Sequence, residues 1–260
     1  MWWSDGLVCD ARAMASPAEE FEGDLSESVF WGADLSRAVF RDVDLSGVAM
    51  RNVRLADVDI DGSVERLVIN GVDVTDYVNA HDPWQPLRGM LTPTTAGAMR
   101  ATAVELERSW ASTIEQARHL TNAQQHESVG GEWSFVQTLR HLVFAIDKWF
   151  TVPLDGGSFH PIGIPNTGSA DFPWPGLDPT SDPSIDEVLA VRADRIGRFH
   201  TYLDALDARD ARDARDAAGL SRQVEVMENG TVTVTDCMHT VFEEEFEHRR
   251  YAMRDLAALA

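Results

Sequence analysis

The stretch Ala33-Asp-Leu-Ser-Arg-Ala-Val-Phe-Arg-Asp-Val-Asp-Leu-Ser-Gly47 decides the fold of the N-terminal part of the chain, because it repeats every five residues. The same register runs from residue 21 to about residue 63. One large apolar residue recurs in each unit: Leu25, Phe30, Leu35, Phe40, Leu45, Met50, Leu55 and Ile60. A small or branched residue lies two positions before each of them. A period of five fits neither an α-helix nor an ordinary β-strand, so we interpret the segment as a repeat array.

These units resemble the pentapeptide-repeat family, most closely in Ala33–Arg37 and Val43–Gly47. The resemblance implies a small right-handed, quadrilateral β-helix with the large and small residues inside. One coil takes about 20 residues and rises about 4.8 Å, so this array would stand only about 10 Å tall. Some members of the family mimic duplex DNA and bind topoisomerases, but this height is too small for that role. A small scaffold or dimerisation wedge is therefore the favoured interpretation.

From about residue 92 the apolar pattern takes a helical period, which predicts four long helices. The predicted helices cover residues 92–119, 134–150, a segment from 182 to at least 206, and 236–259. Their start signals are Thr92 followed by proline, a capping box of Ser134 and Gln137, and Asp182 followed by proline. Four long helices imply a bundle.

Turn and loop signals predict hairpins at 66–78 and 223–235, a linker at 81–86, a long Pro/Gly-rich loop at 151–182 and a charged Ala-Arg-Asp repeat at 205–217. Long ordered loops are often functional lids. The Ala-Arg-Asp repeat either extends the third helix or forms a solvated flap. The predicted fold class is α+β, with a β-helix domain at residues 1–82, including its closing hairpin and linker, and a four-helix bundle at residues 83–260.

The composition excludes several classes of function. With a net charge of −21 and a pI near 4.6, the chain lacks the basic surface that binds nucleic acid or an anionic membrane. Two cysteines, Cys9 and Cys237, are too few for a disulfide framework. The sequence shows neither a signal peptide nor an apolar window of about 18 residues, so a cytoplasmic protein is expected.

Near the C-terminus, the run Phe242-Glu-Glu-Glu-Phe-Glu-His-Arg-Arg-Tyr251 places Glu244 and His248 four residues apart. On an α-helix these side chains point about 40° apart and lie roughly 6 Å apart along one face, so together they can bind one metal ion. A third ligand is needed, and His141 is the candidate; it lies away from the apolar stripe of its own helix, facing a cavity or solvent. A solvated polar face is the alternative for the pair, and Glu245 would replace Glu244 if the helix were rotated.

Other polar groups have simpler interpretations. Glu245 and Arg249 are expected to form a structural ion pair in the apolar sector of the last helix. His239 lies on the side of that helix opposite the metal pair. His160, in the Pro/Gly-rich loop, could reach the mouth of a pocket. Cys237 is expected to be a packing residue.

Trp133-Ser134, His141, Glu244, His248 and the trailing Arg249-Arg250-Tyr251 together resemble the DinB-like proteins, which include the mycothiol-dependent maleylpyruvate isomerases. The resemblance implies a four-helix bundle and a divalent metal, most commonly zinc or nickel. It assigns the metal to His141, Glu244 and His248, a His/Glu/His variant of the more usual three histidines.

The predicted function is therefore that of a divalent-metal-dependent enzyme, a thiol-dependent S-transferase or isomerase that acts on a small electrophile. A low-molecular-weight thiol such as mycothiol would be its second cofactor. The partners expected are a small-molecule substrate or thiol and a second copy of the chain in a homodimer. The alternative prediction is a non-catalytic, acidic interaction or scaffold protein that uses the pentapeptide-repeat surface.

Overall fold

The computed structural model describes residues 21, 23–40, 43–166, 172–210 and 217–259. Their contacts divide the chain into two compact units, of which the first ends at Ile60 and the second spans Asp61–Ala260. The contacts therefore group residues 61–82, which the sequence analysis assigned to the repeat domain, with the helices. Cys9 and residues 211–216 of the Ala-Arg-Asp repeat lie outside the described residues.

Tight turns recur every ten residues in the first unit. The carboxylates of three aspartates accept hydrogen bonds from the main-chain N–H two residues later, at 2.8–2.9 Å: Asp24 from Ser26, Asp34 from Ser36, and Asp44 from Ser46. Such Asx turns explain why aspartate recurs before the large residue. The large residues are 45–66% exposed, and none of the described residues of this unit lies in a strand. The β-helix of the pentapeptide repeats therefore stays a prediction.

The hairpin predicted around Asn70-Gly71 is confirmed. Strands β1 (Val68–Ile69) and β2 (Val72–Asp73) pair antiparallel. The two turn residues have φ values of 50° and 83°, the left-handed conformation that a two-residue hairpin turn requires. Helix α1 (Thr75–His81) follows directly.

The segment predicted as a linker, residues 81–86, is folded instead. Helix α1 ends at His81, and helix α2 covers Gln85–Arg88. Between the two helices, Trp84 packs edge-on against Phe246, with ring centroids 6.1 Å apart. The prediction was wrong because Trp84 packs against Phe246 of the last long helix and so fixes this segment to the helical unit.

Among the residues that the structure describes, the second unit contains four long helices: α3 (Ala96–Ala117), α5 (Phe135–Ile146), α6 (Ile185–Asp210) and α8 (Val234–Leu259). Helices α3 and α5 each pack against both α6 and α8. The short helices α4 (Asn122–Gln125) and α7 (Ala217–Leu220) lie in the connections. Helix α6 continues into the Ala-Arg-Asp repeat as far as Asp210. The region is thus helical, as the resemblance to the DinB-like proteins implies.

Two of the predicted helix N-caps can be compared with the structure. Ser134 caps α5 as predicted, because its hydroxyl accepts from the N–H of Gln137 while the Gln137 side chain accepts from the N–H of Ser134. Helix α3 begins later than predicted, since Thr95 rather than Thr92 is its N-cap. The Thr95 hydroxyl accepts from the N–H of Ala98 at 3.2 Å.

The second predicted hairpin is also confirmed, and it lies just before the last helix. Strand β3 (Gln223–Glu225) pairs antiparallel with β4 (Thr231–Thr233). A single 3-10 turn at Met227–Asn229 forms its tip.

The ion pair expected between Glu245 and Arg249 does not form. Both oxygens of Glu245 accept from Arg192 of α6, at 3.1 and 2.9 Å. Nε of Arg249 instead donates to the main-chain oxygen of Ser109 and to the hydroxyl of Thr113, each at 3.0 Å. The prediction was wrong because the side chain of Arg192 reaches Glu245 from α6 and donates to both of its oxygens.

A π-helical turn over Asp147–Thr151 prolongs α5 and leads into the Pro/Gly-rich loop. Asp147 is fully buried there. One of its oxygens accepts from Nε of Arg195 at 2.6 Å, and the other accepts from the main-chain N–H of His160 at 2.7 Å. This carboxylate thereby attaches the loop to the helices. Within the described ranges, no helix is both long and apolar enough to cross a membrane.

Candidate metal centre

His141 points into the interior of the helical domain. Its side chain is only 3% exposed, so the face that the sequence left open between cavity and solvent is buried. Nδ1 lies 2.9 Å from the main-chain oxygen of Ile164, in the Pro/Gly-rich loop. A carbonyl oxygen only accepts, so Nδ1 carries a hydrogen and donates it. Nε2 is consequently the atom that His141 turns toward its other neighbours.

Glu244 and His248 lie on one face of α8, as their spacing predicts. Oε2 of Glu244 lies 3.2 Å from Nε2 of His141 and 3.2 Å from Nδ1 of His248. Nδ1 of His248 also lies 3.0 Å from the main-chain oxygen of Glu244. One potential ligand atom from each of the three residues lies within 4.8 Å of the others. The structure therefore brings together the three residues selected from the sequence.

The electrostatic environment favours the metal-binding forms of the α8 pair. Burial opposes ionisation of Glu244, but the hydrogen bond with His141 and the charges of His141, His248 and Lys148 outweigh it and lower the pKa of this carboxylate. Burial, followed by the charge of His141, lowers the pKa of His248 to about 4. At neutral pH the pair is thus a carboxylate and a neutral imidazole, the forms that bind a metal ion.

The donor set fits a divalent transition metal. Imidazole nitrogen and carboxylate oxygen both bind zinc at about 2.0–2.1 Å, which places neighbouring ligands of a tetrahedral site roughly 3.3 Å apart. The distance of 3.2 Å between Nε2 of His141 and Oε2 of Glu244 already has this length. The same ligands also suit nickel and other divalent ions.

A family model for the DinB superfamily matches residues 105–252, a span that contains all three residues. The chain belongs to the DinB superfamily. A second family model, for pentapeptide repeats, matches eight copies within residues 24–57. Together these matches confirm the fusion predicted from the sequence. The comparisons with curated proteins and with solved structures gave no match.

Aromatic rings surround the three residues in this DinB-superfamily domain. The ring of Trp133 lies 4.6 Å from that of His141 and 6.1 Å from that of His248. Phe144 lies 5.9 Å from His141, and Tyr251 lies 6.0 Å from His248. In the sequence analysis, Trp133 and Tyr251 formed part of the resemblance and were not proposed as site residues. The i,i+3 spacing of Phe144 and Tyr251 from the two histidines is the signal that could have placed them here.

Two further groups at this centre escaped the sequence analysis as site residues. Ile164 contributes only its main-chain oxygen, and no sequence motif marks that contact. The second group is Lys148, seven residues after His141. Its charge acts on Glu244 in the folded domain.

The other histidines and the cysteine considered from the sequence lie outside the group of His141, Glu244 and His248. Nε2 of His239 lies 2.9 Å from the main-chain oxygen of Pro93. His160 lies in the wall of an open cavity of about 450 Å³, together with Asp182. Cys237 is fully buried, and burial raises the pKa of its thiol to about 11, which agrees with a packing role.

Proposed function

We propose that the helical domain is a divalent-metal-dependent enzyme in which a low-molecular-weight thiol reacts with a small electrophile. The convergence of His141, Glu244 and His248 from two helices carries this proposal. Membership of the DinB superfamily supports it. Zinc and nickel are the ions that we favour.

The contacts of His141 and Glu244 position these two side chains to bind an ion. The hydrogen bond to Ile164 orients the ring of His141, as a backbone carbonyl commonly does for a metal-binding histidine. Glu244 presents one oxygen between the two imidazoles. Three protein ligands, rather than four, are typical of catalytic sites. A divalent ion bound there would make a thiol or a water molecule more acidic at neutral pH.

The neighbouring rings would exclude water from the reacting groups and contact an organic substrate. Trp133 packs against both histidines. Phe144 continues this apolar wall to Trp174 of the Pro/Gly-rich loop, whose ring meets it edge-on at 4.7 Å. Removing water strengthens electrostatic interactions inside such a site.

Elemental analysis of protein purified without added metal tests the metal assignment. The wild-type protein is expected to retain about one equivalent of a divalent ion. The variant His248→Ala should lose it. His239→Ala is the matched control, because His239 also lies on α8 but bonds to Pro93 outside the cluster. Equal metal content in His248→Ala and wild-type protein would overturn the ligand assignment.

The thiol-dependent reaction needs a separate experiment. Metal-loaded protein is incubated with mycothiol or another small thiol and a panel of small electrophiles. Consumption of both reactants should be faster with the wild-type protein than with His248→Ala. A protein that retains its metal and shows no thiol-dependent turnover would keep the metal site but contradict this reaction class.

The alternative function, an acidic interaction protein, is favoured by one observation. The large repeat residues are 45–66% exposed and so are accessible to a partner. A pull-down should compare the full chain with a variant that lacks residues 1–60, because Asp61–Ala260 form a compact unit. Partner binding that survives this deletion counts against the alternative.

A further inference from the structure

Lys148 lies on the helix that carries His141, about two turns further along. At this point the α-helix passes into the π-helical turn Asp147–Thr151. Single π-helical turns within α-helices are frequent at functional sites. Lys148 is buried, with 8% of its surface exposed. The acidic residue next to it on the same turn, Asp147, already pairs with Arg195, so the charge of Lys148 needs another partner.

Two indole rings and one carboxylate enclose the ammonium group of Lys148. Nζ lies 5.1 Å from the ring centroid of Trp149 and 5.3 Å from that of Trp174, within the range of cation–π attraction. Among the residues that the structure describes, its hydrogen-bond acceptor is Oε1 of Glu228, at 2.7 Å. An ammonium group has three N–H donors, so it can bind a second acceptor.

Ring contacts join Lys148 to the candidate metal centre. Trp174 meets Phe144 edge-on at 4.7 Å, and Phe144 lies 5.9 Å from His141. Helical side chains lean toward the N-terminus of their helix, so Lys148 extends from its own turn back toward that of His141.

We propose that Lys148 binds a carboxylate group on the small ligand that reacts at the metal centre. This inference rests on the proposed function, and it adds the charge of the ligand to it. Two attachment points, the metal centre and Lys148, would orient the reacting group. A carboxylate carries the single charge that one ammonium neutralises, and the carboxylate of Glu228 already occupies this position at 2.7 Å. The carboxylate could belong to the thiol or to the electrophile.

The pair of Lys148 and Glu228 also has a purely structural interpretation, in which it ties the hairpin tip to the helix. The two partners differ in exposure, however, since the side chain of Glu228 is 28% exposed and that of Lys148 only 9%. Glu228 lies in the 3-10 turn at the hairpin tip, so its carboxylate can turn to water when a ligand carboxylate takes its place beside the buried lysine. The indoles of Trp149 and Trp174 would hold the ammonium in place meanwhile. Glu228 therefore occupies the position of a ligand carboxylate and yields to it.

Isothermal titration of the zinc-loaded full chain tests the inference with two pairs of probes. Mercaptoacetate and 2-mercaptoethanol differ by a carboxylate on the thiol, whereas crotonate and crotonamide differ by a carboxylate on the electrophile. The charged member of one pair should bind the wild-type protein roughly tenfold more tightly than the neutral member, and the pair that shows this preference identifies the carrier. Lys148→Met keeps the apolar stem and should abolish the preference without changing zinc content.

Two further variants separate recognition from structure. Glu228→Gln keeps the ammonium but removes the carboxylate that competes with the ligand for it, so it should increase the preference. Arg100→Met removes an exposed cation that pairs with Asp204 on the surface, and it should leave the preference unchanged at the same change in net charge. If Lys148→Met does not fold, an increased preference in Glu228→Gln still supports the inference, because direct binding of a carboxylate to zinc would not depend on Glu228.

Three results would overturn the inference. The first is the absence of a preference in both pairs in the wild-type protein, and the second is retention of the preference in Lys148→Met. The third is a preference in Glu228→Gln that is not increased, which would make the ion pair structural. In these cases zinc content remains intact and the metal centre stands. A wild-type protein that binds no zinc would instead overturn the proposed function together with this inference.

Discussion

Nε2 of His141 lies 3.2 Å from Oε2 of Glu244, although 103 residues separate them along the chain. The contact exists because α5 and α8 pack directly against each other. The far side of the imidazole is held by the main-chain oxygen of Ile164, and the carboxylate also lies 3.2 Å from Nδ1 of His248. Each of the two side chains is thus also held by a third group, Ile164 for His141 and His248 for Glu244. Such additional contacts preorganise the ligands of a metal site.

Replacing Glu244 with glutamine should remove the metal without unfolding the domain. The amide keeps the size of the side chain but loses the negative charge that binds a divalent ion. We expect the affinity for zinc to fall by at least about 100-fold, more than the loss of an outer hydrogen-bond partner costs. Competition with a chromophoric chelator measures the affinity, and circular dichroism checks the fold. Unchanged zinc affinity would contradict the assignment of Glu244.

Replacing Glu245 with leucine should have the opposite result. Metal binding should persist, while the free energy of unfolding should fall by about 3–5 kcal/mol because Arg192 is left buried without its partner. Urea unfolding followed by tryptophan fluorescence measures this loss. The double variant with Arg192→Leu should recover much of it, since an apolar pair can replace a buried ion pair. Loss of metal in Glu245→Leu would revive the rotated-helix alternative.

The two adjacent glutamates show how far the sequence reaches. Spacing on a single helix predicted that Glu244 and His248 share a face, because that relation depends only on helix geometry. The partner of Glu245 could not be predicted in this way, since Arg192 lies on another helix, 53 residues away. Either Arg249 or Arg192 could neutralise the charge of Glu245. Only the positions of the helices in the folded domain decide that Arg192 is the partner.

The same division holds elsewhere in the chain. The capping box at Ser134 and the Asn70-Gly71 turn were predicted because each is complete within a few residues. The false linker depended on a distant ring, Phe246, which no local pattern reveals. The fixed orientation of His141 depends on a main-chain oxygen, that of Ile164, and any residue type could supply it. For the repeats, the period of five predicted an array, but a period alone does not tell how much of each large side chain is buried.

Removal of the metal should lower the thermal stability of the wild-type protein. An ion that binds only the folded state stabilises it by ~2.7 kcal/mol at a free concentration a hundred times its Kd. Differential scanning calorimetry with and without a chelator should therefore show a lower Tm after chelation. The variant His248→Ala provides the control, because its Tm should not respond to the chelator. A chelator effect of equal size in both proteins would place the metal elsewhere.

Cys237 should resist modification in the folded protein. Burial, followed by the charge of Asp236, raises the pKa of its thiol from 9.0 to about 11, so almost no thiolate exists at pH 8. Iodoacetamide at pH 8 should label Cys237 in urea but not in buffer, as measured by mass spectrometry of the peptide that contains it, which also separates it from Cys9. Labelling in buffer as fast as in urea would contradict a packing role.

The same raised pKa predicts how stability depends on pH. Folding favours the neutral thiol of Cys237, so its contribution is fully present below pH 9 and is lost as the pH rises from 9 to about 11. The free energy of unfolding of the wild-type protein should therefore fall toward that of Cys237→Ala over this range, measured by urea titration at several pH values. The comparison with Cys237→Ala removes the contribution of other groups that titrate in the same window. A difference between the two proteins that stays constant up to pH 11 would show that the thiol of Cys237 does not titrate differently in the folded state.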